Sequence, residues 1–141
     1  MSEEEKITEY IERMIKALKH FDCYVFEKED LEIVSKIADL AGIRKTVTIR
    51  RADPRYEYIY VLTPRNIDLE DECRLKARQL LAEGKIDRLQ YKKYFDYFVV
   101  QCIRHKERER VKEIISRLEH YIRGVKGGAP SRIKRISFGF T

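Results

Sequence analysis

The apolar residues on either side of a proline turn recur at every second position, and this pattern restricts the fold more than any other feature. Val47 and Ile49 on one side, and Ile59 and Val61 on the other, alternate with polar residues and tyrosines. A period of two is typical of a half-buried β-strand. Between the two runs, Ala52–Arg55 contains aspartate and proline, which favour a tight turn. We therefore predict a β-hairpin with strands at 45–51 and 56–62.

Helical spacing dominates the rest of the chain. Apolar residues three and four positions apart predict helices, with one short apolar run suited to a strand. The predicted segments are helices at 3–21, 29–41 and 68–83, a further helical region from 87, and a strand at 23–26. Gly42 is a suitable helix stop, because glycine adopts the left-handed conformation without steric cost.

The region from 88 to 123 is open to two interpretations. It contains neither glycine nor proline, but a wholly polar run, Arg104–Arg110, separates two apolar faces. A helix that long is uncommon in a small domain. We therefore favour two helices, with one long helix as the alternative and a strand at Tyr97–Val100 as a minor one.

Glycines and a proline after Arg123 predict a flexible joint at 124–131. Beyond it, Ile136, Phe138 and Phe140 have strand spacing. We predict that this end adds a third strand to the sheet. The fold class is α+β, mostly helical with a small antiparallel sheet, and we expect residues 1–141 to form a single domain.

One alternative places the hairpin residues in a different motif. Residues 37–43 have a small residue, a glycine four positions later and then an apolar residue, and resemble the first half of a helix-turn-helix. That resemblance implies a recognition helix at 46–51, with Arg50 and Arg51 contacting DNA. A valine one position early and many β-branched residues argue for a strand instead. A winged-helix-like arrangement stays open as a second possibility.

Charge is unevenly distributed along the 141 residues, whose net charge is +6. Residues 1–43 contain 6 basic and 11 acidic side chains, and residues 44–141 contain 24 basic and 13 acidic. A positive lobe attracts polyanions through steering and counterion release. Charged residues make up 38% of the chain, with three glutamines and one asparagine. This composition predicts a thermophilic source.

Several classes of protein fit the sequence poorly. No apolar run is long enough to cross a membrane, and the acidic start does not resemble a signal peptide, so we expect a cytoplasmic protein. The three cysteines, an odd number and far apart, do not form a disulfide framework. We expect no cofactor and no metal. Zinc shared by His20, Cys23, Cys102 and His105 has the right residue types, but nothing in the sequence indicates that the two pairs meet.

The hairpin provides the leading functional hypothesis, a nucleic-acid-binding protein without catalytic activity, for DNA or RNA. Arginine makes bidentate contacts to phosphate, and tyrosine rings stack on bases. The alternative is that the tyrosines pack under a helix. The candidate residues are Arg44, Lys45, Arg50, Arg51, Arg55, Tyr58 and Tyr60 on the hairpin, with Lys134 and Arg135 in the tail.

Two other functions are weaker alternatives. The chain could be an assembly or adaptor subunit that binds a protein or a second copy of itself, through its opposite charges or an aromatic helix at 91–103. Asp53 and Glu57 with a nearby arginine are also similar to a metal-dependent nuclease site. Ile59 stands where the common nuclease signature has lysine, so catalysis is weakly supported.

Overall fold

The computed structural model describes residues 2–85 and 87–126. These residues form two compact units, one made of 2–64 with 111–126 and the other of Arg65–Arg110. The described chain is α+β, with a three-stranded antiparallel sheet and mostly helix elsewhere, which confirms the predicted fold class. The elements in chain order are α1 Glu3–Phe21, β1 Tyr24–Glu27, α2 Leu31–Leu40, β2 Val47–Asp53, β3 Tyr56–Pro64, α3 Leu69–Ala82 and α4 Arg88–Lys126.

The sheet belongs to the first unit and has the order β1-β3-β2. The hairpin of β2 and β3 is present as predicted, and β1 pairs antiparallel with the other edge of β3. The helix-turn-helix alternative is wrong, because Val47–Asp53 is a strand and no recognition helix follows Gly42. The β-branched side chains of Val47, Thr48 and Ile49 favour the extended conformation of a strand.

The core of the first unit lies between the sheet and three helices. The apolar stripe of α1 and the inward residues of α2 meet the last part of α4 and one face of the sheet. Fully buried side chains from these elements include Ile11, Met14, Leu18, Ile37, Leu62, Ile114 and Leu118. Buried polar or charged residues are absent from the described chain, so this core is stabilised by apolar burial.

Local sequence signals define the ends of the first two helices. Ser2 accepts a hydrogen bond from the Glu5 backbone at 3.1 Å, and the Glu5 side chain accepts one from the Ser2 backbone, which completes a capping box. Gly42 has φ +69° just after α2, as predicted. The next residue, Ile43, is fully buried and donates its backbone N–H to the Ala38 carbonyl, which closes a Schellman motif.

Helix α4 is continuous over 39 residues, so the prediction of two helices is wrong, as is the minor strand alternative at Tyr97–Val100. The polar run does not end the helix because its side chains find partners within the second unit. Lys106 lies 3.9 Å from Glu72, and Arg110 forms an ion pair with Asp68 at 3.1 Å. Because these ion pairs give the polar side chains partners, the helix can continue through a stretch that has no apolar face.

The second unit contains α3 and the first part of α4, linked by a disulfide between Cys73 and Cys102. Their Cα atoms are 5.8 Å apart, within the usual range for a bridge. The expectation that the cysteines stay unpaired is therefore wrong for Cys73 and Cys102, whereas Cys23 is free. A separation of 29 residues gives no sign of this pairing, since it depends on how the helices pack.

Part of the predicted C-terminal region is helical. α4 runs to Lys126, so residues 124–126 of the predicted joint belong to it. The rest of the joint and the predicted third strand lie outside the described residues. Within the described residues, every helix is too short or too polar to cross a membrane.

Candidate nucleic-acid interface

The strand register divides the predicted binding face between the two sides of the sheet. We expected one set of apolar residues on the core face: Val47, Ile49, Ile59 and Val61. The register contradicts this, because Ile49 is opposite Leu62 and Arg50 is opposite Val61. Directly opposite residues point to the same side of an antiparallel pair. Ile49 therefore shares the core face with Leu62, while Val61 shares the other face with Arg50.

Tyr60 lies on the core side of the sheet rather than on an outer binding face. It is opposite Arg51 in the register, and its half-buried side chain packs against the core. Its ring stacks on Phe26, with centroids 6.0 Å apart and an interplanar angle of 25°. Tyr60 therefore fits the alternative in which the tyrosine packs inside the protein and does not contact a ligand.

The exposed aromatic surface lies at the turn end of the hairpin, residues 50–58, which we call the hairpin end. Glu27 and Ile59 are the last pair joining β1 to β3, so the sheet beyond them has two strands. There Tyr56 is 44% exposed and Tyr58 is 54% exposed. Their ring centroids are 6.3 Å apart and their planes meet at 71°. The hairpin end thus presents two differently oriented rings to solvent.

Three exposed arginines accompany the rings. The Arg51 side chain makes no hydrogen bond or ion pair within the described part of the chain, and Arg50 donates to the Arg51 backbone carbonyl at 3.1 Å. Arg55 forms an ion pair with Asp53 at 2.8 Å. That hydrogen-bonded pair lowers the pKa of the Asp53 carboxyl and raises the pKa of the Arg55 guanidinium. Arg55 also lies over the Tyr56 ring, 5.8 Å from its centroid.

The turn itself explains why these groups lie together. Asp53 accepts a hydrogen bond from the Arg55 backbone at 2.9 Å, a local bond that aspartate commonly makes in turns. The same carboxylate also binds the Arg55 side chain. This double contact orients Arg55 across the turn, next to the first residue of β3.

Arg44 and Lys45 lie in the turn that precedes β2. The strand has 7 residues and spans roughly 20 Å by the usual rise per residue, which separates them from the hairpin turn. Arg44 makes a bidentate contact to Asp39, at 2.9 and 3.0 Å, and also donates to the Ser35 carbonyl. The Asp39 hydrogen bond raises the pKa of Arg44, and the arginine lowers that of Asp39. Arg44 thus bonds to the C-terminal end of α2, whereas Lys45 is exposed.

The structure therefore places Arg51, Arg55 and Tyr58 at the hairpin end. Arg50 also lies there but points to the opposite side of the sheet, and Tyr60, directly opposite Arg51, packs against the core. Arg44 and Lys45 precede β2 at its other end. Lys134 and Arg135 lie outside the described residues. Tyr56 is the functional candidate that sequence reasoning missed. Its signal was available, because it is the first of three alternate tyrosines and directly follows the turn, where burial is least.

Groups for metal or acid–base chemistry are scattered. Among the described residues, no three His, Cys, Asp or Glu side chains form a cluster suited to a metal ion. Cys102 is bonded to Cys73, so its sulfur is not a thiolate ligand. Asp53, one carboxylate of the nuclease alternative, is already paired with Arg55.

We compared the chain with models of known protein families, with characterised proteins and with solved structures. None of the three comparisons finds a significant match.

Proposed function

We propose that this protein binds nucleic acid, without catalysing a reaction on it, through the hairpin end. The supporting observation is the exposure of Tyr56 and Tyr58 at a two-stranded hairpin end that also exposes Arg51 and Arg55, with Arg50 on its other side. Guanidinium groups make charge-assisted hydrogen bonds to phosphate, and tyrosine rings provide faces for bases. The combination is suited to a ligand that is both polyanionic and aromatic.

The remaining candidates have secondary roles in this proposal. Lys45 is an exposed cation at the far end of β2, and Lys134 and Arg135 would add phosphate contacts from the tail. Arg44 and Tyr60 have structural roles in this proposal. Arg44 pairs with Asp39, and Tyr60 stacks on Phe26. The proposal places the protein in the cytoplasm, where nucleic acid is accessible.

Binding to labelled DNA and RNA oligonucleotides, measured by anisotropy across salt concentrations, tests this function. Three phosphate contacts predict that log affinity falls against log salt with a slope of about −2 to −3. We expect Arg50→Ala combined with Arg51→Ala to weaken binding and make the slope shallower by about 1.5. Thermal melting should stay unchanged, because both arginines are exposed.

A matched control removes the same charge elsewhere on the first unit. Lys16→Ala combined with Arg123→Ala changes two exposed cations distant in sequence from the hairpin end. This variant should keep most of the affinity. Equal loss in both double variants would mean that overall charge, and not the hairpin end, determines binding. An absence of binding to every oligonucleotide at low salt would eliminate the function.

A second candidate, self-assembly, is favoured by exposed apolar residues on α4. Leu89, Tyr97 and Val100 are 78%, 61% and 44% exposed and fall within one stripe of the helix. Aromatic and aliphatic side chains are enriched at the centres of protein interfaces. Light scattering at increasing protein concentration tests this candidate. Tyr97→Ser with Val100→Ser should convert an oligomer to a monomer, and a strictly monomeric wild type excludes self-assembly.

A further inference from the structure

We propose that the ligand of the hairpin end is a single-stranded nucleic acid, with one base stacked on Tyr56 and a neighbouring base on Tyr58. This assignment rests on the proposed function and specifies its substrate. It follows from the orientation and spacing of the two rings and from the charges around them.

The ring geometry fits bases that are separated from each other. The centroids of Tyr56 and Tyr58 are 6.3 Å apart, whereas adjacent bases in a duplex are separated by about 3.4 Å. The ring planes also meet at 71°, so bases lying on them cannot stay parallel. A single strand allows its bases to splay apart, whereas a duplex presents only base edges in its grooves.

Arg55 covers one face of the Tyr56 ring. Its guanidinium lies 5.8 Å from the ring centroid and forms an ion pair with Asp53. A base can stack on the opposite face of that ring, and the cation adds to the attraction of the aromatic layer. Tyr58 is more than half exposed and has Tyr56 as its ring neighbour.

The charges at the hairpin end disfavour insertion into a duplex groove. Asp53 and Glu57 lie on the same short segment as the three arginines, and Glu57 is exposed. A two-stranded ribbon in the major groove stands between two rows of phosphates, where the exposed Glu57 carboxylate would be repelled. A single strand has one row of phosphates, which can lie along Arg51, on the side of the sheet where Tyr60 and Tyr58 lie.

The test compares one fluorescein-labelled 12-nucleotide pyrimidine sequence as a single strand and in a duplex, each as DNA and as RNA, with the full-length protein. We expect the single strand to bind at least about 10-fold more tightly than the duplex. Tyr58→Ala should weaken single-strand binding by about 5- to 100-fold, the usual effect of losing a stacked base. Duplex binding should be unchanged.

Two variants separate stacking from other effects. Tyr58→Phe keeps the ring without the hydroxyl and should retain single-strand affinity, whereas Phe21→Ala removes an exposed aromatic ring at the end of α1 and should have no effect. Duplex binding equal to or tighter than single-strand binding overturns this assignment but leaves nucleic-acid binding intact. Equal loss of both ligands in Tyr58→Ala also overturns it. If no oligonucleotide binds, the proposed function itself is wrong.

Discussion

Tyr58 and Tyr60 differ in environment although they are two positions apart on the same strand. Tyr60 packs against the core and stacks on Phe26, whereas Tyr58 lies beyond the last residue pair with β1 and is 54% exposed. The alternation of side chains along a strand places both tyrosines on the same face and so predicts the same environment for both. The difference arises because β1 pairs with only part of β3, so the sheet narrows towards the turn.

This difference in burial predicts that replacing Tyr60 destabilises the protein more than replacing Tyr58. Tyr60→Ala should lower the free energy of unfolding by about 1–3 kcal/mol, because it removes a half-buried ring from the edge of the core. Tyr58→Ala should change it by less than about 0.5 kcal/mol, as is usual for exposed positions. Urea denaturation followed by circular dichroism measures both. Equal destabilisation by the two substitutions would contradict the difference in burial between Tyr58 and Tyr60.

A buried hydroxyl on α1 predicts a pH dependence. Tyr10 donates a hydrogen bond to Asp30 at 2.6 Å, and this bond together with burial raises the pKa of Tyr10 to about 12. A folded-state pKa above the usual value of about 10 means that the bond stabilises the protein fully below pH 10. The stabilisation is lost as the pH rises towards 12.

Comparison with Tyr10→Phe isolates this contribution from the other tyrosines. At pH 8 the wild type should be more stable than Tyr10→Phe by about 1–2 kcal/mol, a typical value for a hydrogen bond to a charged acceptor. Denaturation repeated up to pH 11.5 should show the difference shrinking. A difference that stays constant over that range would mean that Tyr10 does not ionise in the expected window.

At the scale of elements, we expect the second unit to depend strongly on a covalent link. Among the side chains that the structure describes in this unit, four are buried and apolar: Leu69, Cys73, Ala77 and Val99. A small helical unit is marginal without an additional constraint. The bond between Cys73 and Cys102 supplies one by joining α3 to the first part of α4.

Removing this bond should destabilise the second unit selectively. Closing a loop of 29 residues reduces the entropy of the unfolded chain and stabilises the fold by about 3–4 kcal/mol. Cys73→Ser with Cys102→Ser should therefore increase amide hydrogen exchange in residues 65–110 more than in α1 or the sheet. Cys23→Ser is the matched control and should change neither region. Three free thiols in the native wild type, counted by mass spectrometry after alkylation, would contradict the pairing.

At the scale of the whole molecule, the boundary in charge is not a boundary in structure. The acidic residues 1–43 form α1, β1 and α2, which pack in one core with the strands of the basic part. The two compact units instead divide after Pro64 and after Arg110. The uneven charge along the sequence therefore does not mark a boundary between the two units. That residues 1–141 form a single domain stays a prediction.

The thermophilic source stays a prediction, and the thermal stability of the protein tests it. With a chain that is 38% charged, we expect a thermal midpoint above the 45–65 °C typical of mesophilic domains. Calorimetry under oxidising conditions measures it. A midpoint inside the mesophilic range would remove support for a thermophilic source.

Local sequence signals were sufficient to predict most of the helices and strands of this fold. Helix α1, the stop at Gly42 and the hairpin turn were predictable, because capping, left-handed glycine and aspartate–proline turns act between residues close in the chain. Tertiary structure alone decided which face each hairpin residue occupies, the continuity of α4 and the Cys73–Cys102 bond. These depend on strand register and helix packing between residues distant in sequence, and a local pattern contains no information about such distances.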